Sequence, residues 1–347
     1  MQRNAIPLVL CAVLFAAPLC ARAAVGSKPP EEGSVASVYQ QQNALFVPGQ
    51  FTLEPGFTYA YSDSNALTLN GFLALGAIFL GNINVSKVTS NIETFSLQAT
   101  YSPTDRLQLG VAVPYLMRQS TYESVGVQGS TTQASEQTVR NGGQIGDIAM
   151  LLNYELIGQG HAYPAIIWNN QLKSPTGRSP YGIQLQTQPQ NNNLSFPSSL
   201  ATGSGVWSYT TGLSFIQTTS PAILFGSLSY TYNFERHVPN INSQPPSAGG
   251  DVLAGNLIGI GFGTAFAVND KMSLTFAYND AISQETRLRP DGGAWQNVVG
   301  SNANAAALAL GVSYALNSHT TFVTNVMVGL TKDAPNLQVS LKVPYAF

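Results

Sequence analysis

Beyond its N-terminal segment, this chain never runs apolar long enough to cross a bilayer as a helix, yet it alternates apolar and polar residues to its end. A spanning helix needs roughly 18–20 apolar residues. The longest later run, Gly71–Leu80 (GFLALGAIFL), is too short. Alternation at period two marks a strand with one apolar face. It is cleanest in 336–347, NLQVSLKVPYAF. Leu337, Val339, Leu341, Val343, Tyr345 and Phe347 fall on one side, and Gln338, Ser340, Lys342, Pro344 and Ala346 on the other. One face suits hydrocarbon and the other suits water or a polar lumen. Strands that enter a membrane must close into a barrel, because an open edge would leave backbone polar groups unpaired in hydrocarbon.

The alternation recurs from Phe51 onward. It predicts strands over about 51–62, 92–101, 106–118, 145–156, 164–173, 205–217, 221–235, 254–267, 271–283, 304–316, 320–331 and 336–347. These twelve make an even number, as in bacterial single-chain barrels. The connections after alternate strands are long, roughly 63–91, 119–144, 174–204, 236–253 and 284–303, and those between them are short. An all-β transmembrane antiparallel barrel with short periplasmic turns and long extracellular loops has this asymmetry. A soluble sandwich has no reason to sort its loops so strictly.

Aromatic residues give a second, independent regularity. Each strand heading for a short turn closes with an outward ring: Tyr101, Tyr154, Phe215, Phe266, Tyr314 and Phe347. Strands heading the other way carry Tyr61, Tyr115, Trp168, Tyr232 and Tyr278 near their far ends. Rings favour the membrane–water interface, so two such girdles are expected of a barrel in a bilayer. β-propensity alone explains aromatics in strands, but not their placement at strand ends.

Composition agrees. Only 9% of residues are charged, against roughly 25% in soluble domains, and no basic footprint for nucleic acid exists. The start reads as an export signal over 1–23: Arg3, an apolar run from Ala5 to Cys20, then Ala21-Arg22-Ala23 as a cleavage site. Both cysteines, Cys11 and Cys20, fall inside it, so no disulfide or thiol metal site is expected afterwards. Residues 24–50 are polar and read either as a periplasmic tail partly entering the lumen or as plain disorder. The barrel is assigned to 51–347, and the expected location is the bacterial outer membrane.

A last strand ending in Phe347 resembles the final strand of outer-membrane barrels, which the barrel-assembly machinery recognises. Several short patterns fall on predicted strands: Leu109-Gly110-Val111-Ala112-Val113-Pro114-Tyr115, Gly146-Asp147-Ile148, Leu172-Lys173-Ser174-Pro175-Thr176-Gly177 and Phe79-Leu80-Gly81. Together they resemble the outer-membrane transporter family named for the meta-pathway of phenol degradation, distantly similar to long-chain fatty-acid channels. The resemblance covers about residue 50 to the end, with Ser174 where that family's turn carries an apolar residue. It implies passive uptake of small hydrophobic, often aromatic, compounds, with outer-membrane lipid and lipopolysaccharide as surroundings. It supplies no catalytic or binding residues.

The alternation itself places charged residues inward: Glu54, Arg118, Asp147, Glu155, Lys173 and Lys342. Asp147, Glu155 and Lys173 are expected in one sector, and Glu54 and Lys342 across the closing seam. These six either form a polar constriction or simply pair to fill the lumen, since a charge away from water needs a partner. Phe72, Leu75 and Phe79, within the apolar segment of the first long loop, suit a capture site for greasy solutes. They equally suit an extension of the flanking strands, or packing on lipopolysaccharide or into the barrel mouth.

No enzyme is expected. His161, His237 and His319 all fall in turns or loops, and none has a Ser and an acid at a recognisable spacing. An outer-membrane phospholipase would need an outward His on a strand, and none is predicted. A structural or adhesive barrel with a blocked lumen is the other alternative. No metal-ligand spacing or cofactor fingerprint stands out.

Overall fold

The computed structural model describes residues 46–65, 69–74, 77–83, 87–124, 135–160, 163–188, 191–219, 222–243 and 245–347. The expected export signal, 1–23, lies outside these residues, as does the expected 24–50 tail up to residue 45.

Twelve antiparallel strands form the wall: β1 (Phe51–Asn65), β2 (Lys87–Tyr101), β3 (Leu107–Ser124), β4 (Ala149–Ile157), β5 (Ala165–Lys173), β6 (Ser208–Thr218), β7 (Ala222–Asn233), β8 (Leu257–Asn269), β9 (Met272–Ser283), β10 (Ala303–Ala315), β11 (Thr321–Gly329) and β12 (Leu337–Lys342, resuming at Tyr345–Ala346). Each pairs with its sequence neighbour. Closure is made by β1 and β12, in register from Gly56 opposite Lys342 to Tyr61 opposite Leu337. The ladder of β12 is interrupted at 343–344, where Pro344 has no N–H to donate. It resumes with Thr52 opposite Ala346.

The wall is apolar outside. Phe95, Leu97, Val111, Met150, Leu213, Leu228, Phe262, Leu308 and Leu341 are all exposed, and no second layer covers them. In water such a surface would drive aggregation; in a bilayer it is the solvated face. The short-turn girdle is present, with Tyr101, Tyr154, Phe215, Phe266, Tyr314 and Phe347 all exposed. Phe347 packs tilted on Phe51 at 5.6 Å between ring centres and edge-on to Tyr345 at 4.7 Å.

Four strand boundaries depart from the sequence reading by several residues. β1, β2 and β3 run several residues further toward the long-loop end, where Lys87 pairs with Asp63 at 3.1 Å. β4 begins at Ala149 rather than near 145, because 146–148 turn their backbone groups toward the connection that follows β5.

Two buried hydrophobic clusters lie at the long-loop end, and a third, around Ile223 and Ala265, lies near the short turns. One joins Val88 of β2 and Tyr122 of β3 to Ile183, Leu194, Leu200 and Ala201 of the β5–β6 connection. Another joins Tyr181 and Val206 of that connection to Val238, Ile241, Val252 and Ala254. Val238 and Val252 belong to a small sheet (Arg236–Val238, Gly250–Leu253, Arg287–Pro290, Gln296–Asn297) that continues β7 to β10 above the wall, and Ile241 and Ala254 flank it. In a twelve-strand ring, β2–β3 and β7–β9 face one another. The 174–207 segment therefore crosses the mouth, holding an apolar cluster at each side.

Candidate functional site

Two of the short sequence patterns meet beneath the crossing segment. Asp147 is buried. Its Oδ1 accepts from the Gly177 amide at 3.1 Å, and its Oδ2 from the Ser204 amide and hydroxyl, both at 2.7 Å. Thr176 stitches the adjacent backbone: its Oγ1 donates to Gly146 O at 2.8 Å and accepts from Ile148 N at 2.9 Å. Thr202 does the same one layer up, accepting from Arg178 N and donating to Ile145 O. Glycine is required by closeness here. A Cβ on Gly177 would stand 2.7 Å from Gly203 backbone, and one on Gly203 would strike the Asp147 carboxylate.

Two arginines hold the segment from opposite sides. Arg118, buried on the inner face of β3, donates to Ala201 O at 2.6 Å. Arg236, on the far side, donates to Gly205 O at 2.6 Å. A buried guanidinium bonded to a backbone carbonyl is a charge-assisted bond. The sequence placed Arg118 inward; it gave no sign of Arg236, which falls in a long connection of the sequence reading, opens the first strand of the upper sheet in the structure, and acts only through the tertiary fold. Tyr181, in the second apolar cluster, has its hydroxyl pKa pushed up by burial.

Toward the short-turn end the lumen is hollow. A cavity of about 790 Å³ is lined on one side by Glu54, Gln98, Gln108, Asn325 and Lys342, and on another by Ile216, Ile223, Phe225 and Ala265. Lys342 Nζ donates to Glu54 Oε1 at 2.8 Å, across the seam where the sequence set them opposite. Val47 and Gln50, at the end of the N-terminal tail, also line this cavity. A second hollow of about 310 Å³ lies against β7 to β12, walled largely by small side chains such as Gly259, Gly261, Ala281, Ala305 and Ala307. Ser227 lines both.

The six inward charges do not form one constriction. Asp147 and Arg118 clamp the crossing segment, and Glu54 and Lys342 pair lower in the lumen. Glu155 and Lys173 do lie on the adjacent strands β4 and β5, but they and Asp147 are spread along the barrel axis rather than gathered at one level. Lys173 is level with Ala149, whereas Glu155 is level with Ile167, about 20 Å further along β4 at ~3.3 Å per residue. In the first long loop, Leu69–Ala74 and Ala77–Ile83 pair as a hairpin with Phe72 opposite Phe79. Leu75 and the side chains of Phe72 and Phe79 lie outside the described residues.

The histidines are better partnered than the sequence suggested. His237 Nδ1 lies 3.0 Å from Asp251, and His319 Nδ1 lies 2.8 Å from Ser318 Oγ. The two sit at opposite ends of the barrel, so Ser, His and acid do not converge through them; His161 lies outside the described residues. Among the described residues, no cluster of His, Cys, Asp and Glu could hold a metal.

No family model matches the chain. Among solved structures, an outer-membrane channel from Pseudomonas putida F1 is similar, with a TM-score of 0.54 at 14% identity, covering 93% of this chain and 100% of that one. Looser likenesses are the transport unit of the autotransporter AIDA-I from Escherichia coli (TM-score 0.45, 12% identity, 92% and 100% covered), and the Ralstonia pickettii toluene transporter TbuX (TM-score 0.40, 14% identity, 90% and 93% covered). A closed twelve-strand wall, an apolar outer face and an aromatic girdle at the short-turn end, on a fold shared with an outer-membrane channel, make this a bacterial outer-membrane β-barrel.

Proposed function

We propose that the protein is a channel for passive uptake of small hydrophobic compounds across the outer membrane. The observation that carries this reading is the hollow lower lumen, about 790 Å³, with an apolar flank and, among the described residues, one ion pair. An aqueous pore for ions would be lined by water-facing charge; a structural barrel would fill its lumen with side chains. The second hollow supports a route beside the crossing segment, since much of its wall is glycine, alanine and serine. The motif resemblance to the phenol meta-pathway transporters points to aromatic solutes. The export signal at 1–23, lipopolysaccharide contact and assembly through Phe347 belong to the same reading.

The test is flux of a neutral aromatic, such as para-fluorobenzyl alcohol, into vesicles with and without purified protein. Equal rates would end the channel reading. The rival, a structural or adhesive barrel with a blocked lumen, is favoured by the clamped segment across the mouth. It predicts no flux and no single-channel current in planar bilayers.

A further inference from the structure

The two flanks of the lower cavity lie on opposite sides of the ring. Glu54 and Lys342 are on β1 and β12, and Phe225 is on β7, six strands from β1 in either direction. The apolar flank is built rather than incidental. Ile223 and Ala265 are buried, with Ile216 and Phe225 packed against them. Phe225 reaches over Gly263 of the neighbouring strand, where a Cβ would stand 2.5 Å from its ring. Gly263 makes the seat, and the ring is thereby held with one surface toward the cavity.

The polar flank has matching chemistry. The Glu54–Lys342 pair cancels its own charge, so the site has no reason to attract an ion of either sign. Each partner keeps spare capacity: the ammonium has two further donors and the carboxylate an unused oxygen. A hydroxyl or amide group meets both. Small-molecule sites are about 300–1,000 Å³ and orient their ligand with a few placed polar groups; this cavity has that size, with a largely polar lining and one apolar patch at Ile216, Ile223, Phe225 and Ala265.

We infer that the lower cavity is a binding site for an uncharged amphiphile, with its ring or short alkyl body on Ile223 and Phe225 and its hydrogen-bonding head at Glu54 and Lys342. The site selects such molecules over bare hydrocarbons and over carboxylates. The inference rests on the channel reading only in calling the ligand a passing solute.

Fluorine NMR on the full chain in detergent micelles tests it, with para-fluorobenzyl alcohol, para-fluorotoluene and para-fluorobenzoate as probes and empty micelles as the baseline. The alcohol should bind saturably above baseline. Ile223→Ser with Phe225→Ser should weaken it about five- to tenfold. Glu54→Gln with Lys342→Gln should weaken the alcohol and leave the toluene unchanged. Heat-modifiable gel migration reports whether each variant forms a barrel. Should a double variant not assemble, a nitroxide on Ser227→Cys in the otherwise native chain gives the same answer, since it must broaden the bound alcohol's resonance. Equal affinity for toluene and alcohol, tight benzoate binding, or no broadening would overturn the inference. Binding without vesicle flux would defeat the channel reading and leave the site intact; flux without saturable binding would do the reverse.

Discussion

Replacing Asp147 by Ala should loosen the segment across the mouth without opening the wall. The carboxylate accepts from two backbone amides, Gly177 and Ser204, and from the Ser204 hydroxyl. The hydroxyl already has another acceptor in Val206 O at 3.1 Å, so it is not orphaned. The two amides are. Each buried donor left unpaired costs about 1–3 kcal/mol, and water entering the vacated space brings the sum toward the lower half, about 3 kcal/mol. At 1.4 kcal/mol per tenfold, local opening becomes about 100-fold more frequent. Hydrogen exchange of the peptides holding Gly177 and Ser204 should accelerate by about that factor, while exchange in β8 and β9 stays unchanged. Asp147→Asn should fall between, since its amide oxygen can serve one donor. Planar-bilayer current through the Ala variant should rise if the segment limits passage. Unchanged exchange at both amides would refute the reasoning, and would mean that the two apolar clusters hold the segment by themselves.

Gly203→Ala should mimic that loss from the other side, because its methyl would strike the same carboxylate; overpacking of about 1–3 kcal/mol is expected, read as faster exchange at Ser204, and a silent substitution would count against the knot. Lys342→Met should shift barrel unfolding in urea little, since the pair is partly exposed and such pairs contribute about 0–1 kcal/mol; a large loss would mean the seam depends on it. Asp251 in the upper sheet has its carboxyl held below the ordinary carboxylate range, chiefly by its hydrogen bond from Arg289 and next by that from His237. An acid lowered in this way stabilises above its ordinary pKa and stops doing so as pH falls through the lowered one. Exchange over 250–253 and 287–290 should therefore speed up between neutral pH and about pH 3; equal protection at both ends would refute it. With single-Trp variants, lipids brominated near the headgroup end of their chains should quench Trp168, exposed on the wall level with Tyr154 of the short-turn girdle, and spare Trp295, which stacks on Arg289 in the upper sheet.

The wall was legible because a barrel in a bilayer is a one-dimensional code. Lipid outside and polar groups inside force period two, and interfaces force rings at strand ends, so Phe51 to Phe347 declares twelve strands and their faces residue by residue. The seam pair was legible for the same reason: closure makes β1 and β12 neighbours, and parity points Glu54 and Lys342 the same way. What failed was any statement resting on where a loop goes. Gly146-Asp147 and Thr176-Gly177 read as two unrelated motifs, because nothing local says that their backbones meet or that Ser204 completes the clamp. Asp147 thus looked like a lumen charge and is an anchor. Arg236 carried no signal at all, since its acceptor, Gly205 O, is brought to it only by packing between distant connections. Nor could parity show that Ile223 and Phe225 gather with Ala265 into one apolar flank, because that depends on strand stagger. By itself, then, the sequence determined the wall, its strand number and which way each side chain points, since those follow from the solvent on either face. Only the tertiary structure decided what closes the mouth and what shape the lumen keeps, because those come from contacts between residues that no period relates.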